Sequence, residues 1–140
     1  MQVVVTGATS FIGAATVEKL MEAGHRVFAV VRPASSNMKH LETIEAGNTP
    51  GSLSICPLDL AEIRTFHGFL ADAWVHIGWD GAGSDNRTKR DVQQRNVTYA
   101  LDAVEAAAAL GCRRFLFTGS QAEYGVWHQT VAEARSFLNL

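Results

Sequence analysis

Val3-Val4-Val5-Thr6-Gly7-Ala8-Thr9-Ser10-Phe11-Ile12-Gly13 is the stretch whose reading decides the fold. Three β-branched residues in a row read as a short, buried parallel strand, and Thr6-Gly7 ends it. From Phe11 to Ala23, the residues Gly13, Val17, Leu20 and Met21 recur at helical spacing, and Gly24 stands where the helix should stop. A strand therefore passes into a helix across a handful of small residues. Gly7 permits the sharp turn, and the small residue three positions on, Ser10, lets the backbone approach a bound group. Gly13 lets the helix lie close against the sheet. The first amides of such a helix have no partner within it, so the turn is suited to holding a diphosphate.

The remainder of the chain repeats this alternation. Arg26 to Val31 reads as a second strand, closed by Arg32-Pro33, with a short helix from Met38 to Glu45 and a turn-rich segment from Gly47 to Gly51. Leu53 to Leu58 reads as a third strand, Glu62 to Leu70 as a short helix, and Ala73 to Ile77 as a fourth strand closed by Gly78. A glycine-rich loop follows from Trp79 to Asp85. The spacing predicts a long helix from about Thr88 to Leu110, where Val97, Leu101, Val104 and Ala108 keep one apolar face and Gly111 occupies the C-terminal cap. Arg114 to Thr118 is a fifth strand, and Val131 to Leu138 is helix-compatible. The pattern predicts one α/β domain over residues 1–140. Its core is a doubly wound parallel sheet of about five strands with right-handed crossovers, a Rossmann fold whose first turn binds a dinucleotide.

Composition narrows the function classes. The formal net charge of −2 supplies no basic excess for a nucleic-acid backbone, so the clusters Arg87-Thr88-Lys89-Arg90 and Arg113-Arg114 read as solvated faces. Cys56 and Cys112 are far apart, have no metal-ligand spacing and border apolar runs, which predicts buried, reduced thiols. No apolar run approaches the roughly 20 residues that span a bilayer. The N-terminus carries no secretory pattern, so a cytoplasmic protein without a membrane or nucleic-acid partner is expected.

Thr6 to Gly13 resembles the TGATGFIG fingerprint of the extended short-chain dehydrogenase/reductases, the NAD-dependent epimerase/dehydratase group. The resemblance continues in order through Leu58-Asp59-Leu60, Val75-His76-Ile77-Gly78-Trp79, Asn96-Val97 and Phe117-Thr118-Gly119-Ser120-Gln121-Ala122-Glu123-Tyr124-Gly125. It implies an NAD(P) cofactor held by Gly7, Thr9, Ser10, Phe11, Ile12 and Gly13. Ser10 departs from the family, which has glycine there; its Cβ resists positive φ, while its hydroxyl could donate to a phosphate. The acid that meets an NAD ribose is replaced by Val31, and Arg32 follows. That favours NADP over NAD, the alternative being that Arg32 is only an exposed strand-end charge. By resemblance, Asp59 meets the adenine amino group with Leu60 beside the ring, although an aspartate there also suits a helix N-cap. Ile77, Gly78 and Trp79 would line the cofactor groove. His76 reads as a core histidine. Asn96 would brace the loop after the fourth strand, or be a plain exposed helical residue. Ser120 would be catalytic, hydrogen-bonding the substrate oxygen that is oxidised or reduced.

The family's chemistry also needs a tyrosine with a lysine four residues later. A tyrosine that acts as a base near neutrality must be shifted far below its usual pKa of about 10, and the lysine helps to do so. Tyr99 and Tyr124 are followed at that distance by Ala103 and His128, so the pair is absent from this sequence. The expectation is a truncated, NAD(P)-binding portion of a longer epimerase, dehydratase or reductase acting on a nucleotide sugar. The alternative is a non-catalytic NAD(P)-binding sensor or regulatory module. With the fifth strand left as an edge, a homodimer is expected.

Overall fold

The computed structural model describes residues 1–81 and 85–119. Five strands, β1 (Gln2–Thr6), β2 (Arg26–Val31), β3 (Ser52–Pro57), β4 (Ala73–His76) and β5 (Arg114–Phe117), form one sheet in the order β3-β2-β1-β4-β5. Every pairing is parallel. Three α-helices, α1 (Phe11–Glu22), α2 (Lys39–Ala46) and α3 (Arg90–Ala109), and a 3₁₀ helix over Leu60–Thr65 make the connections. The expected doubly wound sheet is therefore present. Pro57, which cannot donate to a ladder, sits on the edge strand β3, where the missing amide costs little.

Alternate residues of each inner strand feed two cores. Val3, Val5, Val27, Ala29 and Val31 face α1 and α2, meeting Val17, Met21 and Leu41. Val4, Phe28, Val30 and Trp74 face the other way, against Ile63 and the α3 residues Ala103, Ala106 and Ala107. Burial on both faces explains why these strands read as continuous apolar runs rather than as alternation.

Two expectations are corrected. The helix expected over Glu62 to Leu70 is instead the 3₁₀ turn at Leu60–Thr65, because the Asp59 carboxylate accepts from Ala61 N at 2.9 Å and starts the turn earlier. It stops at Phe66, whose ring meets Phe69 and Trp74 edge-on and so holds the chain out of helix. The second correction concerns α3. Its stripe does keep one face, but Val97, Leu101, Val104 and Ala108 are exposed. The helix packs through Val92, Asn96, Ala103, Ala106 and Ala107 instead. Alanines let the helix axis approach the aromatic face of the sheet, which larger residues would hold off. Arg64 reaches across to pair with Glu105 and, at 3.6 Å, with Asp102, so the 3₁₀ turn and α3 are clipped together. The expected helix at Val131 to Leu138 lies outside the described residues. No helix among the described residues is long and apolar enough to cross a membrane.

Trp74 is fully buried, with Phe66 edge-on at 6.1 Å and Phe115 stacked at 6.4 Å. Replacing it by alanine should cost about 3–5 kcal/mol, the usual range for an aromatic residue lost from a core. Guanidinium unfolding of Trp74→Ala should show a strongly lowered midpoint.

Candidate functional site

β1 lies between β2 and β4, and the connections leave it on opposite faces, so its C-terminal end opens at the switch point of the sheet. A crevice of about 790 Å³ lies there. Its walls come from the β1–α1 turn (Gly7, Thr9, Ser10, Phe11, Ile12), the end of β2 (Val30, Val31, Arg32), the segment after β3 (Leu58, Asp59, Leu60) and the segment after β4 (Ile77 to Gly81). Asn37, Tyr99, Thr118 and Gly119 complete it.

The β1–α1 turn owes its shape to two missing side chains. Gly7 has φ +68°, and a Cβ on it would lie 2.7–2.9 Å from the backbone of Ile77 and Gly78. A Cβ on Gly13 would strike the Gly7 carbonyl oxygen, so Gly13 shapes the turn from behind and does not line the crevice. Ser10 needs no positive φ. It sits at φ −74°, ψ 164°, and its Oγ caps α1 by accepting from Gly13 N at 3.0 Å. The side chain at the family's glycine position is thus used to close the helix end. The intrahelical ladder starts with Ala14 N donating to Ser10 O, which leaves the amides of Phe11 and Ile12 ahead of it and beside the crevice.

At the far end, exposed Arg32 lines the wall beside buried Val31. Ser35 N donates to Arg32 O at 3.0 Å, and the Ser35 hydroxyl donates to Thr9 Oγ1 at 3.1 Å, tying the segment after β2 to the glycine turn. Sequence reading missed Ser35 and Asn37, because a polar stretch after Arg32-Pro33 carries no periodicity. Asp59 caps the 3₁₀ turn, as its alternative reading expected, and also lines the crevice. Leu60 lies against Gly78: a Cβ on that glycine would be 3.0 Å from its side chain.

Asn96 is 1% exposed and belongs to the bracing alternative. Its Oδ1 accepts from Asp80 N and its Nδ2 donates to Asp80 O, both at 2.8 Å, so one side chain satisfies both backbone polar groups of a loop residue. It does not line the crevice. Trp79 does, with its indole N–H donating to Gln93 Oε1 at 3.0 Å. His76 is buried as expected, but only Nδ1 is bonded, to Thr6 Oγ1 at 3.0 Å; Nε2 has no partner among the described residues. Ser120 lies outside the described residues, which reach the crevice at Gly119. Both thiols are free and half-buried rather than buried, and burial pushes both upward in pKa. No group of three or more potential metal ligands occurs among the described residues.

The crevice thus combines a side-chain-free glycine cradle, amide donors at a helix start, an apolar wall and one cation at the end of β2. Those features fit a dinucleotide: donors for the diphosphate, Leu60 and Ile77 for flat rings, Arg32 for the ribose end.

Comparison with known proteins agrees. A family model described as "NAD dependent epimerase/dehydratase family" matches residues 3–137. The chain is similar to UDP-glucose 4-epimerase 4 of Oryza sativa subsp. japonica, 31% identical over 88% of this chain and 35% of that protein. It is also similar to dihydroflavonol 4-reductase of Zea mays, 40% identical over 84% of this chain and 34% of that protein. The chain therefore spans about a third of the length of these curated relatives. Among solved structures, UDP-glucose 4-epimerase from Bifidobacterium longum, in complex with NAD+ and UDP, superposes with a TM-score of 0.75. It is 23% identical and the match covers 89% of this chain and 38% of that one, a likeness of fold.

Burial lowers the pKa of His76 from 6.5 to about 4. The unfolded chain takes up a proton in that interval and the folded chain does not, so stability is full above pH 6.5 and falls as the pH drops toward 4. The loss from this one residue should be about 3 kcal/mol. Urea unfolding from pH 7 to pH 4 should show His76→Asn losing less stability than the parent protein across that window.

Proposed function

The chain belongs to the NAD dependent epimerase/dehydratase family, and from that premise we propose that its crevice binds a nicotinamide dinucleotide for hydride transfer to or from a nucleotide sugar. The observation that carries the reading is the β1–α1 turn, where Gly7, with Gly13 packed close behind it, brings bare backbone to the mouth of a crevice at the switch point. Phe11 and Ile12 amides, with the Ser10 hydroxyl, hold the diphosphate; Thr9 packs beside it. Asp59 and Leu60 receive the adenine. Ile77, Gly78 and Trp79 receive the nicotinamide half, while Gly13 and Asn96 keep the turn and the Asp80 loop in shape. The cofactor supplies the hydride donor or acceptor, and Ser120 orients the substrate oxygen. A UDP-sugar substrate is supported by the relatives named for UDP-glucose epimerisation; the reductase relatives keep simple carbonyl reduction open.

NADP is favoured over NAD. Val31 stands at the end of β2 and Arg32 follows it in the wall, while Ser35, Thr9 and Asn37 add polar groups near the same corner. A guanidinium recognises a phosphate through charge-assisted hydrogen bonds. Free thiols suit a reducing compartment such as the cytoplasm. A homodimer is supported by β5, which among the described residues is an edge strand with Leu116 and Phe117 about half exposed, and by the outward ridge of α3.

Calorimetric titration at one salt concentration should show NADPH binding more tightly than NADH. Arg32→Ala should weaken NADPH about tenfold, the scale of one charge-assisted contact, and leave NADH nearly unchanged. If neither dinucleotide binds at millimolar concentration, the crevice is not a cofactor site. Light scattering should report twice the chain mass; a uniform monomer at high concentration would count against the dimer.

A further inference from the structure

Thr6 closes β1 and is fully buried, and its hydroxyl oxygen has three polar neighbours. Ile77 N lies 3.3 Å away, Gly78 N 3.2 Å and His76 Nδ1 3.0 Å. A hydroxyl has two lone pairs and one proton, and a backbone amide can only donate. Gly78 N therefore takes one lone pair and Ile77 N, shared with the Thr6 carbonyl, leans on the other, so the acceptor for the proton among the described residues is His76 Nδ1. That nitrogen must then be bare, so the neutral ring carries its own proton on Nε2. The opposite tautomer would leave two groups unmet, the hydroxyl proton and a bare Nε2, whereas this one leaves only the Nε2 proton without a partner among the described residues.

The two amides sit where β4 becomes the crevice wall. Ile77 N shares a second acceptor, the Thr6 carbonyl, at 3.3 Å, whereas the Thr6 hydroxyl is the acceptor found for Gly78 N. Gly78 is also the residue against which Gly7 has no room for a Cβ. The position of the wall relative to the glycine turn thus rests on how one hydroxyl is turned. His76 itself is held in place by Phe115 and Phe117, whose rings lie within 23° and 12° of parallel to it at about 6 Å. Burial keeps the ring uncharged, which preserves the bare nitrogen.

We infer that His76 is a positioning residue for the crevice: by accepting the Thr6 hydroxyl proton at Nδ1, it fixes Thr6 Oγ1 as the shared acceptor for Ile77 and Gly78 and sets the wall that faces the glycine turn. An apolar ring in its place leaves a buried hydroxyl proton with no acceptor. The relief is rotation of the hydroxyl, which gives up an amide. The effect on affinity rests on the dinucleotide reading above; the hydrogen-bond arrangement does not.

The experiment compares the parent chain with His76→Phe, His76→Asn, Thr6→Val and the double variant Thr6→Val/His76→Phe. In the ligand-free protein, amide exchange at Gly78 should be faster in His76→Phe and restored in His76→Asn, whose Oδ1 takes the place of Nδ1. NADPH should bind His76→Phe about tenfold more weakly, the scale of one buried hydrogen bond. Thr6→Val should match it, the double variant should be no weaker than either, and His76→Asn should recover most of the loss. Nitrogen-15 spectra of the parent protein, which need no variant to fold, should show His76 protonated at Nε2 and bare at Nδ1 at neutral pH. Finding the proton at Nδ1, unchanged Gly78 exchange in His76→Phe, or independent additive effects of the two substitutions would each overturn the inference. Failure of the parent protein to bind NADPH, with the exchange and nitrogen results as expected, would overturn only the cofactor reading.

Discussion

Two backbones meet at the head of this sheet with no side chain between them. Gly7 turns out of β1 at a positive φ and lies against Ile77 and Gly78, while Gly13 on the first turn of α1 lies against the Gly7 carbonyl. One added carbon at either position would push α1 off the sheet or push the post-β4 segment into the crevice, because the atoms met are backbone and cannot swing aside. The rest of the site is arranged around that contact. Ser10 caps the helix it opens, Thr6 reaches across to hold Gly78, and Leu60 fills the space that Gly78 leaves. Small residues let these segments meet, and the Ser10, Thr6 and Asn96 side chains each tie down a backbone group around them.

The fold was legible because its signals are local. A β-branched run followed by glycine, then helical spacing, recurs along the chain, and a sheet buried on both faces needs no other code. The site was legible for the same reason wherever it borders a strand end, as at Gly7, Arg32, Asp59 and Gly78. Three things were not legible. The face that α3 buries was misjudged, since the large residues Val97, Leu101 and Val104 point outward and small alanines point in; periodicity gives a direction but not which side the sheet is on. The helix expected there was placed too late, because the competition between a capping Asp59 and an aromatic Phe66 depends on the Trp74 ring, which belongs to the next strand. The roles of Thr6, Ser35 and Asn37 arise from approaches between segments 26 to 72 residues apart or from a loop without pattern.

Ser10 shows how a departure from a family pattern can be absorbed. Glycine at that position would leave the helix start open. Serine closes it with one hydrogen bond from Gly13 N while keeping an ordinary extended backbone, and it places a hydroxyl in the crevice wall. The wall at this turn therefore carries a hydroxyl where a glycine would present only backbone.

Asn96 gives α3 a mechanical character that its sequence does not advertise. The helix is a 20-residue rod, clamped to the 3₁₀ turn through Arg64 near its far end and gripping both backbone polar groups of Asp80 near its start. Its outward ridge, one residue beyond that grip, begins at Val97. The exposed ridge and the brace on the crevice rim are therefore carried by a single helix, so a substitution that shifts the helix axis would displace both.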